Sequence, residues 1–256
     1  MVRYFMELAY NGSKYHGWQR QPNGNSVQEL LETALTTILR QPTQVTGAGR
    51  TDAGVHAAYI VAHFDTTTPI DDPMQLAAHI SRFLPSDVVV YSVTPVNDEA
   101  HSRFSAIARR YEYHVTTEKN PFLQGLAARL RFVPDFDKMN QAAAILLEYS
   151  DFTSFSRLHG SAKTNICKVQ KAIWEQSGHR YIFTIEADRF LRNMVRAIVG
   201  TLLDVGRGKL TIDQFREIIE LKDRSRAGTS APAEGLYLVD VTYPPEVFVP
   251  SRRVIV

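Results

Sequence analysis

The chain is nearly without cysteine. Cys167 stands alone among 256 residues, which excludes an internal disulfide and a zinc site built from several cysteines. Such cysteine usage suits a reducing, cytoplasmic setting. No stretch approaches about 18 uninterrupted apolar residues, so no membrane-spanning helix is expected. The opening Met1-Val2-Arg3-Tyr4-Phe5 has no apolar h-region or small-residue cleavage site, and moves straight into a strand-like pattern. Net charge is low, with 29 Lys and Arg against 27 Asp and Glu, and that total alone points to no acidic partner. Gly47, Gly49 and Gly54 do not make G-x-G-x-x-G, and neither a P-loop nor a G-x-S-x-G elbow is present. His56 and His63 have no cysteine or carboxylate set to complete a zinc site, so no metal is expected.

What is there is an ordinary globular balance, 44% hydrophobic and 22% charged. The length suffices for one large domain or two of about 100–150 residues, with a substantial core that needs no staples. The charge is unevenly spread. Residues 1–100 carry 6 Lys and Arg against 10 Asp and Glu, residues 101–256 carry 23 against 17, and residues 101–131 alone carry 6 against 2. A local basic surface and charges dispersed over solvated faces both fit that distribution.

The pattern predicts a strand over 3–10, then a helix whose apolar residues Val27, Leu30, Leu31, Ala34, Leu35, Ile38 and Leu39 recur with helical period. Ser26 and Glu29 are spaced as a capping box at its start. Strands are predicted over 43–47 and 57–65, a helix from the Asp72-Pro73 pair to about Phe83, and a strand over 87–93. The order β-α-β-β-α-β is the ferredoxin-like arrangement. The second half repeats it with insertions: a long strand over 103–116, a helix over 137–148 and a hairpin over 168–176 and 180–187. A helix over 190–205, a short helix after Thr211 capped with Gln214, and a strand over 236–242 complete it. The expected fold is α+β: two ferredoxin-like (RRM-like) halves, 1–100 and 101–256, forming a mainly antiparallel central sheet flanked by helices, with a basic cleft between them.

Three places could carry chemistry. In Gly47-Ala48-Gly49-Arg50-Thr51-Asp52-Ala53-Gly54-Val55-His56, glycines bracket an Arg and an Asp. Such a loop can hold a carboxylate toward a ligand, or be a hairpin with solvated charges. On the 190–205 helix, Arg189, Arg192 and Arg196 share one face, which is either solvated or offers a guanidinium fork to a carboxylate or phosphate. On the long strand, alternation sends Arg109, Tyr111 and Tyr113 to one side and Arg110, Glu112 and His114 to the other. The tyrosines are either packing residues or a stacking platform for a nucleobase. Cys167 reads as a packed thiol.

At this point the residues resemble a known family, the bacterial tRNA pseudouridine synthases A. Gly49-Arg50-Thr51-Asp52-Ala53-Gly54-Val55-His56 looks like its catalytic signature, and Tyr10-Asn11-Gly12-Ser13-Lys14-Tyr15-His16-Gly17-Trp18-Gln19-Arg20-Gln21 is similar to its N-terminal segment. So are Arg103-Phe104-Ser105-Ala106 with Ala108-Arg109-Arg110-Tyr111, and Asp151-Phe152-Thr153-Ser154-Phe155. Asn193-Met194-Val195-Arg196-Ala197-Ile198-Val199-Gly200 and Ala233-Glu234-Gly235-Leu236-Tyr237-Leu238 complete the set, in the expected order across nearly the whole chain.

The resemblance implies a homodimeric enzyme that isomerises uridine to pseudouridine at positions 38, 39 and 40 of the tRNA anticodon stem-loop, with no cofactor and no metal. Asp52 matches the catalytic aspartate, by a covalent route or one through sugar-proton abstraction. Arg196 matches the arginine paired with it, whose charge favours an ionised carboxylate. Tyr111 matches the active-site tyrosine, expected to stack on the flipped uracil. Arg50 matches an arginine that fills the space of the extruded base or holds its backbone. Arg103 and Phe104 lie in a segment expected to touch tRNA. Arg103, Arg109, Arg110, Lys163, Arg189 and Arg192 are phosphate-binding candidates. The 157–163 loop departs from the family's pattern. A non-catalytic RNA-binding protein and a small-molecule enzyme on the same fold are the competing readings.

Overall fold

The computed structural model describes residues 1–22, 24–157 and 164–248. It divides into two compact units, one of residues 1–107 with the chain from Asp240 onward, the other of residues 108–239.

In the first unit, strand β1 (Val2–Tyr10) lies between two antiparallel partners. The short β2 (Thr46–Gly47) pairs antiparallel with one of them, β3 (His56–Thr66), and the other is β4 (Val88–Val96). Helices α1 (Val27–Leu39) and α2 (Pro73–Phe83) are inserted between strands, so the chain order is the expected β-α-β-β-α-β. Val27, Leu31, Ala34 and Leu35 form the buried stripe of α1, the face that the helical period predicts. Ser26 caps it by accepting from Glu29 N–H at 3.3 Å. Glu29 itself turns to Arg20 at 3.4 Å, so the expected capping box becomes a single-armed cap. Asp72 accepts from Gln75 N–H at 2.9 Å with proline at the first turn of α2, as its sequence signals. Along β1, Tyr4, Met6 and Leu8 point to one face and Phe5 to the other. Phe5 packs with Val61, Val96, Ala100 and Val247, so the chain's return after Asp240 covers that face.

In the second unit, β5 (Ala108–Thr116), β8 (Arg180–Ala187) and β7 (Val169–Ser177) run antiparallel in that order. A two-residue β6 (Ala128–Arg129) lies parallel to β5. Helices α3 (Phe136–Ile145), α4 (Met194–Gly206) and α5 (Ile212–Leu221) complete the unit, and β9 (Leu236–Thr242) carries the chain onward. The fold is thus α+β with mostly antiparallel pairing. No helix among the described residues is long and apolar enough to cross a membrane. Cys167 is fully buried, and desolvation pushes its thiol up to about 12, so it is a packing residue and not a nucleophile at neutral pH.

Two expected boundaries are corrected. The strand read over 103–116 begins only at Ala108, because His101 gathers the preceding residues into a turn: its carbonyl accepts from Ser105 N–H at 2.9 Å and its Nδ1 from Arg103 N–H at 3.1 Å. The helix read over 190–205 begins at Met194. Asp188 Oδ1 accepts from the Arg189 and Lys168 N–H groups, both at 2.7 Å. Asn193 sits in the left-handed region at φ 66°. Arg189 and Arg192 therefore precede the helix, and they do not share a helical face with Arg196.

Candidate active site

The loop carrying Asp52 is braced from the N-terminal segment. Tyr10 Oη lies 2.9 Å from Thr51 Oγ1, Trp18 N–H donates to the Thr51 carbonyl at 3.3 Å, and Gly54 N–H donates to the Tyr15 carbonyl at 3.2 Å. His56, which is buried, accepts from Gly12 N–H at its Nδ1, at 3.1 Å. The Asp52 carbonyl accepts from Val55 N–H at 3.1 Å. This closes a four-residue turn whose third residue, Gly54, has φ 77°, a value that demands glycine there. Of the three loop glycines, Gly54 alone takes a left-handed φ; Gly47 makes room for the Trp18 indole, which a Cβ would meet at 2.4 Å. Asp52 is half-buried and Arg50 exposed. Four residues of the 10–18 segment, Tyr10, Gly12, Tyr15 and Trp18, thus grip the loop and its flank. The contact of these bracing residues with the loop, 33 or more positions along the chain, has no local signal in the sequence.

A second cluster in the same unit surrounds His101. Phe104 is 75% exposed, yet its ring lies 4.3 Å from the His101 ring, and Arg103 reaches over it at 5.6 Å. His63 meets His101 edge-on at 4.6 Å and lies 2.8 Å from Ser102 Oγ, which donates to the Thr46 carbonyl. Burial first, then the charges of His101 and Arg3, push His63 down to about 4. An exposed aromatic edge beside an arginine suits stacking and phosphate contact.

In the second unit, Arg109, Arg110 and Tyr111 lie on β5 as alternation requires. Arg109 Nη1 donates to the Asp188 carbonyl at 2.8 Å. Arg110 donates from Nε to Glu186 Oε2, also at 2.8 Å, across the β5–β8 register, and Glu112 pairs with His114 Nε2 at 2.8 Å on that same side. Tyr111 is half-buried, and Phe190 meets its ring edge-on at 5.0 Å. Phe190 is a candidate that the sequence reading missed, because it assigned residue 190 to a helix. Tyr113, by contrast, is fully buried and donates to the Pro232 carbonyl at 2.8 Å. It is the packing residue of the pair, and desolvation raises its pKa against the lowering effect of Arg196.

Arg196 lies in the first turn of α4. Its Nε donates to the Ala231 carbonyl at 2.8 Å, and its own carbonyl accepts from Ala231 N–H at 2.9 Å. Arg189 is half-buried and Arg192 exposed, and the Arg192 carbonyl accepts from Arg157 N–H. Lys163 lies outside the described residues. Within their own units, the structure brings Arg50 and Asp52 into one loop, Arg103 and Phe104 into one turn, and Arg109, Arg110 and Tyr111 onto one strand.

The protein is thus α+β, with a backbone-braced loop that carries a carboxylate in one unit and several arginines among its candidate residues. The sequence pattern of the tRNA pseudouridine synthase family matches residues 8–105 and 142–244. A tRNA pseudouridine synthase A of Parabacteroides distasonis is 57% identical over 97% of this chain and 98% of its own length. One of Bacteroides fragilis is 58% identical over 96% and 98%, and one of Pseudoalteromonas translucida 40% identical over 98% and 95%. The chain belongs to the tRNA pseudouridine synthase family, whose members are isomerases of tRNA uridine.

Proposed function

We propose that this chain converts uridine to pseudouridine at positions 38, 39 and 40 of the tRNA anticodon stem-loop, with Asp52 as its catalytic carboxylate. The observation that carries the reading is the Asp52 loop, gripped from residues 10–18 and closed by the Gly54 turn. A carboxylate held before substrate arrives loses little freedom in the reaction. The isomerisation conserves every atom. The bond from ribose C1′ to uracil N1 breaks, C1′ joins C5, the C5 proton leaves and N1 gains one. Asp52 serves as nucleophile, or as the base that abstracts a sugar proton. Arg196 serves as the catalytic arginine, Tyr111 stacks on the flipped uracil with Phe190 behind it, and Arg50 holds the space the base vacates. Arg103, Phe104, Arg109, Arg189 and Arg192 hold the phosphates and flanking bases. Arg110 contributes less, since Glu186 takes up its charge. We read each half as ferredoxin-like, which the β4-β1-β3 order with β2 on β3 supports in the first unit, and the working enzyme as a cytoplasmic homodimer.

The test is incubation with unmodified tRNA, without added cofactor, and mapping of pseudouridine. Asp52→Asn is expected to bind tRNA as the parent does and to form no product. Product formed by that variant would remove Asp52 from its role, and absence of product with the parent protein would remove the activity.

A further inference from the structure

Residues 196, 197, 200 and 201 lie along one face of α4, at helical spacing, and Asn193 stands at its N-cap. The segment Ala227–Ala231 runs over that face as a strap. Gly228 N–H donates to Thr201 Oγ1 at 2.9 Å. Gly200 admits the strap's backbone, since a Cβ there would stand 1.8 Å from the Thr229 carbonyl oxygen. At the other end the strap holds Arg196 twice, through the Arg196 carbonyl and through Nε. Anchoring at Nε fixes the plane of the guanidinium, and therefore the direction of Nη1 and Nη2.

The strap is itself fastened at one atom. Ser230 Oγ accepts from Asn193 Nδ2 at 2.6 Å and from Arg224 Nη2 at 3.0 Å, which uses both of its lone pairs. Arg224 Nη1 also donates to the Ala227 and Gly228 carbonyls, at 3.3 and 3.2 Å. Asn193 makes no side-chain cap for α4 although it stands at the N-cap; its amide is spent on the strap instead, and its left-handed backbone aims it there.

We infer that Ser230, clamped by Asn193 and Arg224, is a positioning residue for the reaction: it holds the 227–231 strap so that the Ala231 carbonyl orients the Arg196 guanidinium. The inference rests on the role proposed for Arg196 above. Displacement of a catalytic partner by about an ångström is enough to cost about 100-fold in rate. The strap therefore governs turnover more than tRNA binding or folding.

The experiment measures single-turnover pseudouridine formation, tRNA affinity and thermal unfolding for Ser230→Ala, Asn193→Gly, their combination and Ser230→Thr. Asn193→Gly removes the amide while keeping a residue at ease at positive φ. Ser230→Ala and Asn193→Gly are each expected to lower the rate about 100-fold, with tRNA affinity within about twofold of the parent and a melting temperature close to it. Because both break the Asn193–Ser230 contact and Ser230→Ala also removes the Arg224 contact, the combination should be no slower than Ser230→Ala alone. Ser230→Thr, which keeps the hydroxyl, should restore the rate. Parent-like rates in both single variants, multiplying losses in the combination, or rates that simply follow the melting temperature would overturn the inference. Arg196→Met separates the two readings. If it turns over like the parent, the role of Arg196 fails. If it is inactive while Ser230→Ala is not, the strap alone fails.

Discussion

At the scale of single residues, the Asp52 loop depends on backbone that only glycine can supply. Gly17 has φ 93°, and a Cβ there would stand 2.3 Å from the Thr51 carbonyl oxygen, the neighbour of Asp52. Gly17→Ala is therefore expected to cost on the order of 1–3 kcal/mol of stability through strain. It should also slow pseudouridine formation by more than about tenfold, since the loop must shift. Denaturant unfolding and single-turnover rates check both, and a parent-like rate would show that the grip of the N-terminal segment does not matter. The candidate residues were legible to different degrees. Asp52 stands out because its turn signal is local, Gly54 lying two residues on. Arg110 does not, because the residue that takes up its charge, Glu186, is 76 positions away. Phe190 was hidden by a periodicity that continues, in sequence alone, through a stretch the chain does not fold as helix.

At the scale of elements, helix ends with both arms of a cap were the most readable features. Thr211 and Gln214 form a complete capping box at α5, with the Thr211 hydroxyl accepting from Gln214 N–H at 3.1 Å and the Gln214 side chain accepting from Thr211 N–H at 2.8 Å. Thr211→Ala is expected to lower stability by about 1 kcal/mol while leaving the rate of pseudouridine formation unchanged, since α5 carries none of the candidate residues. Urea unfolding alongside the activity assay decides. The elements misjudged at their starts follow backbone that side chains capture: His101 Nδ1 before β5, Asp188 Oδ1 before α4, and Thr36 Oγ1 and Glu32 Oε1, which take the Thr43 and Val45 N–H groups, before β2, read over 43–47 but formed only by Thr46–Gly47. Periodicity of apolar residues cannot register such capture, because the captured residues keep the right hydrophobicity and lose only the backbone angles.

At the scale of the whole molecule, two responses to solution conditions follow. The first concerns acid. Free histidine titrates near 6.5, whereas His63 is pushed down to about 4, mainly by burial and then by His101 and Arg3, against the opposing effect of Asp65. Between about pH 6.5 and 4 the unfolded chain gains a proton that folded His63 refuses, so stability falls as pH falls through that window. His101, also lowered mainly by desolvation, acts in the same direction. Asp65 sits below its ordinary value because Arg3 binds it, and its contribution is lost only at lower pH. Thermal melts of the parent and of His63→Asn, which keeps an acceptor near Nδ1, should converge as pH falls from about 7 to 4.5. A constant gap between them would count against it. The second response concerns salt: tRNA affinity should fall steeply as salt rises, because arginines that displace counterions from phosphates lose that gain at high salt. Binding isotherms at several salt concentrations read it directly, and a salt-independent affinity would deny the phosphate contacts.

The sequence by itself determined the number and order of the helices and longer strands, the caps of α2 and α5, and, through its motifs, the family. Those signals act over a few residues, where side-chain periodicity and capping geometry are set by covalent spacing. Tertiary structure alone decided where α4 and β5 begin, that Tyr113 packs while Tyr111 keeps an aromatic neighbour, and that His63 is held neutral. It also decided that Ser230 fastens a strap over Arg196, 34 residues away in the chain. The two starts turn on side chains that capture nearby backbone, which hydrophobic periodicity does not register; the rest turn on partners tens of residues distant, whose approach is fixed by how sheets and helices pack and not by any local pattern.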